Sequence, residues 1–203
     1  MTAAEAAGWG GLADLNSVSD PRFERLEEQL DSQREEIERL RRTIDAFIPV
    51  DVDTGLLNRN GLIDSIKRAC LWWERRREPF GVLVLQIPGL AFAPSEKRQP
   101  LAMIVANSMI GTLRAVDDSG RLNESTYAAV LRDFVREGGP IVAARLRTAL
   151  RTALGTEQGV ATDLRIGMSV VVEGTTREPS HYLDVASQAA EQALFDRARV
   201  IDG

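Results

Sequence analysis

Residues 80–87, FGVLVLQI, are apolar at almost every position. A half-exposed strand would alternate apolar with polar residues, so a run of this length and density predicts a strand buried on both faces. Such a strand needs a layer on each side, and the rest of the chain supplies helices to cover it. Asn60 to about Arg77 carries Leu62, Ile63, Ile66, Ala69, Cys70 and Trp73 on one side. Leu101–Val116, Pro140 to about Leu154 and His181 to about Arg197 also read as helices. Gly120–Leu122 and Thr126–Leu131 flank a polar turn and predict a hairpin, and Leu164–Val172 predicts another strand. The order α, β, α, β-turn-β, α, β, α predicts an α/β fold with a mixed central sheet surrounded by helices.

The N-terminal part follows a different rule. Phe23, Leu26, Leu30, Gln33, Ile37, Leu40, Ile44 and Phe47 step by three and four without a slip. Between them stand mostly Glu, Arg, Gln and Asp. This is the signature of a parallel coiled coil, with Gln33 as a polar member able to fix register. Residues 20–48 are therefore predicted to be a dimerisation helix that makes the chain a homodimer. A lone amphipathic helix packed on its own domain is the competing reading. Ser19-Asp20-Pro21 signals the helix start and Pro49 its end. Residues 1–19, rich in Ala and Gly and without a period, read as a disordered tail, and 49–203 as the α/β domain.

Composition narrows the function. No apolar run reaches the ~18 residues of a membrane span, and the N-terminus lacks the basic start and apolar core of a secretory signal. The single cysteine, Cys70, forms no internal disulfide, which fits a reducing cytoplasm. The net charge of -5 argues against general nucleic-acid binding. Lys67 and Lys97 are the only lysines among the basic residues. The arginines that make up the rest suit bidentate contacts to phosphate and guanine.

Three landmarks then appear in order. Asp51-Val52-Asp53-Thr54-Gly55-Leu56-Leu57-Asn58-Arg59 resembles D-x-L-T-G-L-x-N-R, with Asp53 in place of Leu. Arg121-Leu122-Asn123-Glu124-Ser125-Thr126-Tyr127, followed by Ala128-Ala129-Val130-Leu131, stands where R-x-G-G-D-E-F and an apolar strand would stand. Leu164-Arg165-Ile166-Gly167 resembles a strand ending in S-I-G, and Ala193-Leu194-Phe195 resembles a later A-L-Y. From Asp51 to its end the chain resembles the GGDEF domain of diguanylate cyclases, which make cyclic di-GMP from two GTP. The resemblance implies that family's fold. It also fits a coiled coil leading into the domain.

The resemblance also implies that the chemistry is lost. Joining a 3′-hydroxyl to an α-phosphate needs metal ions on the phosphates, and Mg²⁺ takes carboxylate oxygens. The family's carboxylate at the end of the first strand is Gln86 here, and that of the hairpin is Ser125. Asn123 and Glu124 replace the two glycines beside the triphosphate. Leu90-Ala91-Phe92-Ala93-Pro94-Ser95 replaces the guanine-reading F-K-x-x-N-D. The positions Gln86, Asn123, Glu124, Ser125, Thr126 and Tyr127 thus read as a degenerate active site that holds no metal.

A second site of the family survives in pattern. Its product-binding inhibitory site uses R-x-x-D, five residues before the hairpin. Arg114-Ala115-Val116-Asp117 has that spacing, Arg145 falls at the corresponding place on the next helix, and Arg68 stands where a second subunit completes the site. Arg114 and Arg145 equally suit ordinary solvated helix positions, and Asp117 equally suits a turn cap. Trp73 is expected in the core and Trp72 nearer the surface. Arg75-Arg76-Arg77 reads as a solvated helix end, and His181, the only histidine, as structural. The expectation is a catalytically inactive, cofactor-free regulatory protein that binds cyclic di-GMP through Arg114, Asp117, Arg145 and Arg68. The alternative is a ligand-independent scaffold that meets an unidentified protein through its coiled coil.

Overall fold

The computed structural model describes residues 21–155, 163–171, 173–174, 176–193 and 199–202. The chain divides into two compact units, Met1–Ile44 and Asp45–Gly203. The expected tail at 1–19, and Leu194 and Phe195 of the A-L-Y match, lie outside the described residues.

Helix α1 spans Pro21–Phe47. Its seam residues Leu26, Leu30, Ile37 and Leu40 are each about half exposed. Short-range pairs such as Arg39 with Glu36 at 2.7 Å decorate the helix, and pairs of this kind add only tenths of a kcal/mol. The side chains of Phe23, Ile44 and Phe47 lie outside the described ones.

In the second unit, α2 (Arg59–Arg76), β1 (Phe80–Gln86), α3 (Ser95–Thr112), β2 (Asp118–Arg121), β3 (Thr126–Arg132), α4 (Gly139–Leu154), β4 (Arg165–Val171), α5 (Pro179–Glu191) and β5 (Arg199–Asp202) follow in order. The sheet order is β2-β3-β1-β4-β5. β1 lies at the centre, antiparallel to β3 and β4, and β5 joins β4 in parallel, so the sheet is mixed as expected.

The centre position explains the FGVLVLQI run. Phe80, Val82 and Val84 pack with Leu62, Ile66 and Trp73 of α2 and Tyr182 and Ala186 of α5. Leu83 and Leu85 face the other layer, with Val105 and Met109 of α3 and Leu146 and Leu150 of α4. Each face of β1 is thus apolar because each meets helices.

Several boundaries differ from expectation, and α3 also ends at Thr112 rather than Val116, which leaves Arg114 in the turn after the helix. α3 starts at Ser95 rather than near Leu101, with Pro100 inside it. That proline is the sixth helical residue, past the first turn, so it gives up one backbone hydrogen bond of the helix. The last helix stops at Glu191, and the chain continues to an edge strand, β5, which a four-residue run signals too weakly to be read from sequence. Among the described residues, no helix is long and apolar enough to cross a membrane.

Candidate functional site

The β2–β3 hairpin is held beside the end of β1. Gln86 pairs with Thr126 on one side and Arg165 on the other. Ile87 N–H donates to the Ser125 carbonyl at 2.8 Å, which sets Ser125 next to Gln86. Asn123 Oδ1 accepts from Ser125 N–H at 3.0 Å and shapes the turn.

Two acidic residues near this hairpin, Glu124 and Asp53, are paired with arginines. Glu124 pairs with Arg98 of α3 at 3.2 Å. Arg98 also donates to the Ala93 carbonyl, just after the 3₁₀ turn Pro88–Phe92. Asp53 pairs with Arg121 at 3.2 Å, and the same guanidinium reaches Asp51 at 3.4 Å. Tyr127 is fully buried, and burial pushes its phenol up to about 12, so it stays neutral near pH 7. Among the described residues, no three His, Cys, Asp or Glu side chains gather as a metal-holding group.

A second feature lies where α3, β3 and α4 meet. Arg114 and Asp117, three residues apart, and Arg145 from the next helix line one cavity of about 150 Å³. Its walls are apolar in part, with Leu131, Phe134, Val142 and Ile141. Asp117 sits in the turn after α3, where its Oδ2 accepts from Arg114 N–H at 2.9 Å and its Oδ1 from Arg132 N–H at 3.0 Å. Arg145 Nη2 donates to the Thr112 carbonyl at 2.7 Å, satisfying the end of α3. The Arg114 guanidinium is exposed and has no hydrogen-bond or ion-pair partner among the described residues. A shallow groove beside Gly111, Ala144 and Thr148 continues from Arg145.

Arg68 is not part of this cavity. It lies exposed on α2, 3.8 Å from Asp118. Trp73 is in the core, its Nε1–H donating to the Gly174 carbonyl at 3.1 Å, while Trp72 stays 42% exposed. His181 stacks edge-on against Tyr182.

Sequence reasoning missed Arg132 and Asp133. Arg132 is buried beneath Trp72, its guanidinium 4.9 Å from the indole and hydrogen-bonded to Ser65 and Asp118. Asp133 lines the cavity with a left-handed backbone, φ 45°. It also borders the cleft beside Trp72. A charged pair ending an apolar strand was the only signal available, and in an arginine-rich chain that signal is faint.

Comparison with solved structures places this geometry. The diguanylate cyclase SiaD of Pseudomonas aeruginosa, solved with its activator SiaC, is similar with a TM-score of 0.65 at 19% identity, over 89% of this chain and 72% of that one. The coiled coil and GGDEF domain of DgcB from Caulobacter crescentus, solved with c-di-GMP, matches with a TM-score of 0.60 at 17% identity, over 87% and 99%. The Vibrio cholerae LapD S helix-GGDEF-EAL structure, bound to c-di-GMP, matches with a TM-score of 0.59 at 16% identity, over 85% and 40%. No family model and no curated protein matches the sequence. The chain has the fold of a GGDEF diguanylate cyclase domain preceded by a helix.

Proposed function

We propose that this chain recognises cyclic di-GMP without making it. The observation that carries the reading is the convergence of Arg114, Asp117 and Arg145 on one cavity. Guanidinium groups pair with guanine O6 and N7 or with phosphate, and a carboxylate accepts from the guanine N1 and N2 donors. Cyclic di-GMP offers all of these groups. Arg68, exposed on α2 and 3.8 Å from Asp118, would meet the same ligand from a second subunit, as the paired α1 helices of a homodimer would allow.

Synthesis is absent in this reading because the cyclase position does not fit a divalent ion. Gln86 and Ser125 present neutral oxygens where two carboxylates are needed. Glu124, held by Arg98, adds negative charge where a triphosphate would lie. Ligand binding would then act by shifting the pose of paired domains.

Calorimetric titration of the full chain with cyclic di-GMP tests this reading. Saturable binding is expected, weakened at least about tenfold by Arg114→Ala, the loss expected for one charge-assisted hydrogen-bonded contact. Absence of heat at high micromolar ligand, in a folded protein, refutes it. The half-exposed α1 seam favours a second reading, in which the coiled coil contacts a protein partner independently of ligand. Function that survives Arg114→Ala but not disruption of Ile37 and Leu40 would select that reading.

A further inference from the structure

The two carboxylates of the cavity differ in what they are free to do. Asp117 is committed to the fold, since its two oxygens accept backbone N–H groups from Arg114 and Arg132. Those bonds close the turn between α3 and β2 and tie it to the end of β3. Asp133 lines the same cavity, is exposed, and has no hydrogen-bond or ion-pair partner among the described residues. Its φ of 45° lies in the left-handed region, which disfavours any side chain, although Asp and Asn tolerate it best.

The cations divide in the same way. Arg145 is engaged with the end of α3, whereas the Arg114 guanidinium has no described partner. Resting on the reading of the cavity given above, we propose that Asp133 and Arg114 form the pair that reads the ligand's base, and that Asp117 is a positioning residue. Asp133 accepts from N1–H and the 2-amino group of a guanine, and Arg114 donates to O6 or N7.

Charge and size support this assignment. Arg132 also lines the cavity, but its guanidinium is bonded to Ser65 and Asp118 beneath Trp72, so Arg114 and Arg145 are left to balance Asp117 and Asp133, which suits a neutral base carrying donors and acceptors better than a phosphate. The cavity volume of about 150 Å³ is on the scale of one base rather than a whole dinucleotide. The remainder of the ligand would lie in the open groove along Ala144 and Thr148.

The test titrates cyclic di-GMP and cyclic di-IMP, which lacks the 2-amino groups, into the full chain and its variants. The unaltered chain should prefer cyclic di-GMP by about tenfold, because one of the two donors facing the Asp133 carboxylate is then absent. Asp133→Gly should cost about tenfold in cyclic di-GMP affinity and bring the two ligands to near-equal affinity. The same variant should melt at an unchanged or higher temperature, because glycine accepts φ 45° without penalty. Asp133→Asn, which keeps the shape, should lose part of the preference. Asp117→Asn should lower the melting temperature. Full affinity and preference in Asp133→Gly, or a fall in its melting temperature, overturns the assignment while leaving the binding reading in place. Absence of binding of either ligand to the unaltered chain overturns both.

Discussion

Gly167 of β4 has no room for a β-carbon. One built there would stand 2.2 Å from the Ala186 carbonyl and the Ala190 nitrogen, so α5 rests directly on the strand. This is the physical content of the Leu164-Arg165-Ile166-Gly167 match, which the sequence presents only as a pattern. Gly167→Ala should therefore cost about 3 kcal/mol or more, read as a shifted midpoint in urea. Gly111, where a β-carbon would meet nothing within 4 Å, should accept alanine at little cost and serves as the control. Burial pushes the Cys70 thiol up to about 11, with Glu74 adding to the rise. The folded chain therefore holds this proton more tightly than the unfolded chain, and stability falls as pH rises from about 9 to 11. Cys70→Ala should flatten that part of the melting-temperature profile, whatever its effect on stability at neutral pH.

At the level of elements, legibility tracked burial. β1 could be read because both its faces meet helices, and α2 because its buried residues recur on one side. α3 starts earlier than expected because Pro100 resembles a boundary yet sits inside the helix, in its second turn. β5 was missed because Arg199–Asp202 is too short to carry a period. In the cavity, Arg114, Asp117 and Arg145 were found through a family spacing, while Asp133 needed the fold to bring the end of β3 beside the turn after α3. The spacing also conceals that Asp117 spends its oxygens on the backbone. For α1, the seam of Leu26, Leu30, Ile37 and Leu40 is about half exposed, and an unpaired apolar stripe on a charged helix predicts association. Ile37→Asp with Leu40→Asp should shift the chain from dimer to monomer in analytical ultracentrifugation. An unchanged mass would favour the lone-helix reading.

Across the whole molecule, the two ends of the sheet differ in how their charged side chains are engaged. Near the end at Gln86 and Ser125, Arg98 pairs with Glu124 and Arg121 bridges Asp51 and Asp53. Purified protein supplied with GTP and Mg²⁺ should accordingly yield no dinucleotide. The cavity between α3, β3 and α4 instead holds the Arg114 guanidinium, which has no partner among the described residues. Hydrogen–deuterium exchange with cyclic di-GMP, resolved along the chain, distinguishes these two ends in a single measurement. Slowed exchange is expected in residues 112–117 and 131–145, with the segments 86–98 and 122–126 unchanged. Protection confined to 86–98 and 122–126 would place the ligand beside Gln86 and Ser125 and contradict the account.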